Sequence, residues 1–257
     1  MKTIDPENKG SLQKAVRALT AARGAAALTG AGISVASGIP DFRSPGGLWS
    51  RFAPEEYATL EVFRSNPAKA WLLFRELGRK LVGKEPSKAH ETLATFERCG
   101  WLKGIITQNI DNLHQRAGNR YVFEIHGDHQ RLQCLSCGHL EPVTEKHYQQ
   151  NTVPSCPDCR TPLKPNVVLF GEEVRGLEEI SFFIGHCDLL LVIGTSAQVY
   201  PAAGLPATVK SNGGTIFEFN KEPVLPAGLT DYFFGGDLDT TLPALGRQIL
   251  AASASDR

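Results

Sequence analysis

Short, densely apolar runs alternate along this chain with stretches in which apolar positions recur every three or four residues. The runs Ala25 to Thr29, Gly104 to Thr107, Val122 to Ile125, Val167 to Phe170, Leu189 to Ile193 and Thr215 to Phe219 read as buried strands, with a weaker edge strand at Tyr232 to Phe234. Runs this short with no polar alternation suit strands covered on both faces. Between them lie helical patterns, such as Ser87 to Arg98, with Ser87 as N-cap, Glu91 a turn later and Gly100 as the stop. Strands alternating with helices predict an α/β fold with a mostly parallel sheet and helices on both faces.

Two stretches break the alternation. Residues 43–89 form a helical insertion in which Trp71, Leu72, Phe74, Leu77 and Leu81 keep helical spacing, and residues 131–163 have little apolar periodicity but hold paired cysteines. The expected division is a Rossmann-like domain of residues 1–42, 90–130 and 164–257, and a small domain of residues 43–89 and 131–163.

Each predicted strand stops in small or polar residues: Thr29-Gly30, Gln108-Asn109-Ile110-Asp111, His126-Gly127-Asp128, Gly171-Glu172, Gly194-Thr195-Ser196 and Asn220-Lys221-Glu222. In an open parallel sheet the carboxyl ends share one edge, where ligands bind, so these groups are expected to converge. The first carries Gly30-Ala31-Gly32, which suits close approach of a backbone to a dinucleotide pyrophosphate where a strand turns into a helix. A third glycine of the hydride-transfer fingerprint would stand at Val35, so the loop is not a redox Rossmann loop. Asp41, Phe42 and Arg43 follow a Gly-Ile-Pro turn and set an acid, a ring and a base above those glycines.

Lys and Arg together number 27, as do Asp and Glu, so no basic excess supports general nucleic-acid or membrane-surface binding. No apolar run approaches the ~18 residues that span a bilayer, and a soluble, cytoplasmic protein is expected. Cys134, Cys137, Cys156 and Cys159 form two Cys-x-x-Cys pairs separated by eighteen residues, the pattern of a structural, tetrahedral zinc ion. Cys99 and Cys187 are expected to be small buried hydrophobes.

Gly30 to Ser34, Gly38 to Arg43, Thr107 to Asp111, His126-Gly127, the four cysteines, Lys164 to Glu172 and Gly194 to Ser196, in this order, together resemble the sirtuins, NAD-dependent protein lysine deacylases. The resemblance covers about Gly24 to Asp239. It implies a large Rossmann-like domain and a small zinc-and-helix domain, with NAD and an acyl-lysine peptide entering the cleft between them. By position, Gly30, Ala31, Gly32, Asp41, Phe42, Arg43, Gln108, Gly194, Thr195, Ser196, Asn220, Glu222 and Leu238 would hold the dinucleotide. Asn109, Ile110 and Asp111 would line its nicotinamide end, Asn109 with a catalytic share. The substrate amide oxygen attacks C1′ as nicotinamide leaves, His126 is the implied general base for a ribose hydroxyl, and Phe42 would shield C1′ from water. The expected products are nicotinamide, free lysine and O-acyl-ADP-ribose.

The peptide is expected to add as a strand against Val168, Phe170, Gly171 and Glu172 on one side and the segment after Val199 on the other. Family members that take acidic acyl chains carry a Tyr and an Arg three apart on a small-domain helix; Phe74 and Leu77 stand there, which implies a preference for neutral acyl groups. Asp128 is a less usual residue for the family. The alternatives are a protein ADP-ribosyltransferase or NAD hydrolase using the same site, a hydride-transfer enzyme disfavoured by Val35, and a non-catalytic NAD-sensing or zinc module. Oligomeric state and protein target are not encoded in any of these motifs.

Overall fold

The computed structural model describes residues 1–5 and 8–255 of the 257-residue chain. Its strands are β1 (Lys2–Thr3), β2 (Ala25–Thr29), β3 (Gly104–Thr107), β4 (Val122–Glu124), β5 (Gly127–Cys134), β6 (Leu140–Pro142), β7 (Leu163–Val167), β8 (Leu189–Ile193), β9 (Thr215–Asn220) and β10 (Tyr232–Gly235). The helices are α1 (Lys9–Ala21), α2 (Pro54–Tyr57), α3 (Leu60–Ser65), α4 (Pro67–Leu81), α5 (Lys88–Arg98), α6 (Leu113–Ala117), α7 (Glu145–Gln149), α8 (Leu177–Gly185), α9 (Leu205–Ser211) and α10 (Leu238–Ser255).

Seven strands form a sheet in the order β1-β10-β9-β8-β2-β3-β4, and every neighbouring pair is parallel. From β2 the chain builds outward to β3 and β4 on one side, and returns as β8 to build β9 and β10 on the other. The order therefore reverses between β2 and β8, and the crevice outside their carboxyl ends is the place where such sheets bind ligands. All residues of β2, β3 and β8 are buried. That is why these strands read as apolar runs and not as alternating patterns. Apolar clusters cover both faces, one with Leu12, Phe96, Phe217, Phe219 and Phe234, the other with Ile106, Ile125, Ile180, Leu190 and Val209.

A second, antiparallel sheet has the order β6-β5-β7. With α3 and α4 it encloses another core of Phe63, Trp71, Phe74, Leu132, Tyr148, Leu163 and Leu169. The Trp71 indole N–H donates to the Leu163 carbonyl at 2.8 Å and so fastens α4 to β7. Residues 131 and 164 lie inside β5 and β7, so these strands run across the expected domain boundaries.

Four sequence expectations are corrected here. The stretch Val167 to Phe170 is no strand of the parallel sheet: the strand is Leu163–Val167 in the small sheet, and Gly171-Glu172 does not come off a parallel-sheet end. The strand at Tyr232 is not at the edge, because β1 pairs outside it. Cys99 is exposed, whereas Cys187 is buried as expected. At the start of α5 the reciprocal cap is Ser87 with His90, and Glu91 takes no part. Gly100, with φ +80°, ends that segment as a glycine can.

Candidate active site

The first glycine loop departs from a dinucleotide fingerprint in structure as well as in sequence. After β2 the chain makes one 3-10 turn, Ala31–Ser34, and no α-helix follows it. Gly30 and Gly32 instead allow two loops to touch: the Gly32 N–H donates to the Gly194 carbonyl at 2.8 Å, and a Cβ on Gly32 would lie 2.7 Å from the Gly194 Cα. Gly194, at φ +58°, occupies the left-handed region, and a Cβ there would stand 2.7 Å from the Ile33 nitrogen. The glycines thus weld the β2 and β8 loops at the switch point.

Side chains from β3 complete this junction. The Gln108 amide N–H donates to Thr195 Oγ1 at 2.9 Å, and the Asn220 amide, at the end of β9, donates to the Thr195 carbonyl at 2.9 Å. Asn109 is 7% exposed and donates through Nδ2 to the Gly30 carbonyl (3.1 Å) and to Ser34 Oγ (3.2 Å). The Ser34 hydroxyl donates to Asp111 Oδ2 at 2.6 Å, and Asp111 Oδ1 accepts the Leu113 N–H at 3.0 Å. Asn109, Ser34 and Asp111 therefore form one buried, connected polar group. Ser34 was not among the residues singled out from sequence; it stands inside the Gly30 to Ser34 block, and its burial supplies the missing signal.

His126 follows β4 and faces the same junction. Its Nδ1 lies 3.1 Å from the Gln108 carbonyl. A carbonyl only accepts, so Nδ1 carries the proton and the neutral ring keeps its lone pair on Nε2. Burial pushes the His126 imidazole below its ordinary 6.5, with the hydrogen bond to Gln108 offsetting part of that shift. The ring is accordingly neutral at physiological pH and oriented as a base.

Behind His126 lies a network that accounts for Asp128. Its Oδ2 accepts from Arg131 Nη2 at 2.8 Å and from Asn166 Nδ2 at 2.5 Å, and Asn166 Oδ1 accepts from Arg175 Nη2 at 2.6 Å. Burial raises the Asp128 carboxyl, but these bonds outweigh it and hold the group below its usual range. The carboxylate is a lattice member that ties β5 to β7.

The other expected dinucleotide residues are placed less centrally. Asp41 folds back on its own loop, accepting from the Ser44 N–H at 2.9 Å and the Ser44 hydroxyl at 2.5 Å. The Phe42 ring lies 4.9 Å from that of Trp49, tilted by 35°, against the small core, and Arg43 is exposed on the same loop. Ala31 and Ser196 are half-buried beside the welded loops, and Ile110 packs between Leu113 and the small core. Glu222 is exposed beyond β9, and Leu238 opens α10, partly buried on the main core.

On the peptide side, the Val168 N–H donates to the His126 carbonyl at 2.8 Å. Both backbone groups of Phe170 are taken: its N–H donates to Ala58 (3.0 Å) and its carbonyl accepts from Leu60 (2.9 Å). The Glu172 carboxylate also points inward, 3.0 Å from the fully buried Lys164 ammonium. Val199 accepts from the Ala203 N–H at 2.9 Å.

The four paired cysteines meet as expected. All four Sγ atoms lie within 4.8 Å of one another, with Cys134 to Cys159 at 3.4 Å and Cys137 to Cys156 at 3.5 Å. A tetrahedral ion with Zn–S bonds of about 2.3 Å needs sulfurs about 3.8 Å apart, so this donor set fits zinc. Four thiolates fill the shell and leave no position for chemistry.

Comparison with known proteins converges on this geometry. The Sir2 family model matches residues 30–201. An NAD-dependent protein deacylase of Thermococcus kodakarensis is 41% identical over 245 residues, covering 93% of this chain and 95% of that protein. A Sir2 homologue variant in complex with ADP-ribose superposes with a TM-score of 0.90 at 37% identity, over 94% of this chain and 98% of that one. A Sir2 protein bound to a myristoylated histone peptide gives 0.81 at 35% identity, over 96% and 100%. The chain belongs to the Sir2 family.

Proposed function

We propose that this chain is an NAD-dependent protein lysine deacylase that transfers a neutral acyl group from lysine to ADP-ribose and releases nicotinamide. The observation that carries it is the His126 ring, held neutral with its Nε2 lone pair available, beside the buried Asn109–Ser34–Asp111 group at the switch point. The deacylase names of full-length relatives and the acyl-peptide complex of a structural neighbour support the same reading.

NAD, when bound, supplies the electrophilic ribose carbon and accepts the acyl group. The chain supplies positioning and a base. Gly30, Gly32 and Gly194 keep the floor of the dinucleotide site thin, Gln108, Thr195 and Asn220 set its polar lining, and Ala31, Arg43, Ser196, Glu222 and Leu238 border it. Asn109 and Asp111, with Ile110, meet the nicotinamide end; their side chains are already fixed by Ser34, which limits reorganisation on binding. His126 takes a proton from a ribose hydroxyl through Nε2 while Nδ1 stays on Gln108. Phe42 and Asp41, on a loop braced by Trp49 and Ser44, cover the reacting carbon.

The neutral acyl preference rests on α4. Phe74 packs edge-on to Trp71 at 5.6 Å and Leu77 lies between two apolar clusters. The nearby buried cation, Arg75, donates to the Thr152 carbonyl at 3.0 Å and lies over the Trp71 ring, 5.5 Å from its centroid. The division into a Rossmann-like domain (1–42, 90–130, 164–257) and a small domain (43–89, 131–163) belongs to this reading; the core around Trp71 supports two units and extends past residue 163 to Val167 and Leu169. A cytoplasmic location belongs to it as well and suits a cluster of four thiolates; no helix among the described residues is long and apolar enough to cross a membrane.

The test is a panel of acetyl-, butyryl-, myristoyl- and succinyl-lysine peptides with NAD, products identified by mass. Free lysine peptide and O-acyl-ADP-ribose from the neutral substrates are expected, with His126→Ala lowering turnover by about 100-fold or more while ADP-ribose still binds. ADP-ribose attached to protein would favour the transferase alternative, and free ADP-ribose without deacylation the hydrolase. Full activity of His126→Ala, or faster release of succinyl than acetyl, would refute the corresponding part.

A further inference from the structure

Phe170 and Gly171 sit on a turn suspended from one buried ion pair. Lys164, in β7, is 0% exposed; its Nζ donates to the Val167 carbonyl at 2.5 Å and lies 3.0 Å from Glu172 Oε2. The same carboxylate oxygen accepts the Leu169 N–H at 2.8 Å, and the Glu172 N–H donates to the Leu169 carbonyl at 2.9 Å. Residues 169–172 thus form a β-turn closed by backbone and by side chain. Gly171 stands at its third position with φ +90°, the conformation that a type II turn reserves for glycine.

From the side, the Phe170 backbone is bonded to Ala58 and Leu60 at the start of α3. The Phe170 ring, 46% exposed, and Gly171 then form one wall of a cleft of about 540 Å³, and Leu60, Glu61 and Arg64 of α3 form the other. The position of the turn therefore sets the width of this cleft. One residue before the turn, Val168 is bonded to the His126 carbonyl, so the turn is also keyed to the base.

An ammonium with no exposure to water is a costly fastening, and an apolar residue of the same length would fill its space more cheaply. Burial indeed pushes the Lys164 ammonium below its ordinary value, with Glu172 opposing the shift. A charged fastening is useful where direction matters, because it draws the Glu172 carboxylate down to one point and with it the chain at Leu169.

We propose that Lys164 and Glu172 are positioning residues for substrate, a buried ion pair that holds the Phe170-Gly171 turn as a preformed wall for the segment flanking the acyl-lysine. The inference rests on the deacylase reading. Its signature is a loss that falls on the peptide and spares NAD, since neither residue touches the β2–β8 junction.

The experiment uses the zinc-loaded full chain, an acetyl-lysine peptide and NAD, with KM for each, kcat, and direct binding of peptide and of ADP-ribose. Lys164→Met and Glu172→Gln are expected to raise the peptide KM about tenfold, with the NAD KM and ADP-ribose affinity within about twofold of wild type. Lys164→Arg, which keeps the charge, is expected to recover most of the peptide affinity. Where a single change leaves a lone buried charge and prevents folding, Lys164→Met/Glu172→Gln removes both and retains the volume. A doubly substituted chain with wild-type melting and a wild-type peptide KM overturns the proposal, as does an equal loss for peptide and NAD. A wild-type chain that neither binds nor turns over the peptide overturns this and the deacylase reading together.

Discussion

The parallel sheet and the zinc-side sheet stand next to each other in the chain but close their cores by different means. In the first, β2, β3 and β8 are buried along their whole length, and Phe217, Phe219 and Phe234 of β9 and β10 join the same apolar cluster. In the second, β6 is exposed at both ends and β5 is exposed at Gln130 and Arg131, so the sheet offers little apolar surface past Leu132 and Leu163. Its outer end is instead gathered by four sulfurs. Burial holds one unit and a metal completes the other, which means that each should yield to a reagent that the other resists.

Metal removal is expected to have the largest effect. Structural zinc contributes on the order of 10 kcal/mol to folding of small metal-held units, more than the apolar contacts beyond β5 can replace. The tryptophans divide the report: Trp71 is fully buried in the small core, while Trp101 packs on the main one. In chains with Trp49 and one other tryptophan replaced by Phe, chelation, or Cys156→Ser, is expected to shift Trp71 emission to the red and leave Trp101 in place. Joint movement of both signals would show one cooperative unit and refute the comparison.

That contrast also decides what the sequence could reveal. The parallel sheet was legible because burial on both faces writes apolar runs, and the polar residues at its carboxyl ends marked Asn109, Asp111, His126 and Thr195 as site candidates. The small sheet is hidden at β7, because Lys164 and Asn166 are polar yet buried, with Pro165 buried between them. Their groups are satisfied by Glu172, Asp128 and Arg175, partners that sequence spacing does not disclose. The same limit applies to Glu172, a ligand-contact candidate by sequence, whose bond to Lys164 no spacing announces. A two-residue strand such as β1 carries no pattern at all. Gly30 and Gly32, expected to face a dinucleotide, also lie against Gly194 and Thr195, a contact that their spacing alone does not announce.

Acid should weaken the parallel unit by a route of its own, separate from loss of metal at the four thiolates. Within the parallel unit, the His90 and His114 rings lie 4.8 Å apart, tilted by 59°, and are 0% and 1% exposed. The Ser87 N–H donates to His90 Nδ1 at 3.2 Å, and His114 Nε2 lies 2.9 Å from Thr29 Oγ1, which in turn bonds Thr107 Oγ1 at 2.9 Å. Burial lowers His90 from 6.5 to about 4, against the pull of Asp111 and Asp239, and lowers His114 well below 6.5 through burial and then His90. With native pKa values below the unfolded one, both rings leave stability intact above pH 6.5. As pH falls the unfolded chain takes up protons first, and stability is lost through this window. From His90 alone the loss between pH 6.5 and 4 is about 3 kcal/mol. Urea midpoints followed by Trp101 should therefore fall with pH in wild type and fall less steeply in His90→Asn; equal slopes would remove the histidine pair as the cause.

The smallest expected effect lies at the contact of the β2 and β8 loops, and it separates the scaffold from the site it carries. Gly194→Ala places a Cβ 2.7 Å from the Ile33 nitrogen and 2.8 Å from the Gly32 carbonyl carbon, both backbone atoms that move only with their loop. The left-handed conformation costs a non-glycine residue about 1 kcal/mol, and the forced separation adds about as much again. Beneath the loop, β2 and β8 remain paired from Ala25 to Thr29 and Leu189 to Ile193, so the sheet can absorb the displacement by releasing the Gly32 to Gly194 hydrogen bond. Melting should drop by a few degrees, as about 2 kcal/mol implies for a chain of this size. ADP-ribose affinity should fall about tenfold or more, because Gly30, Asn109 and Thr195 lose their common register. If the junction is a packing contact alone, the drop in melting will appear without the drop in affinity.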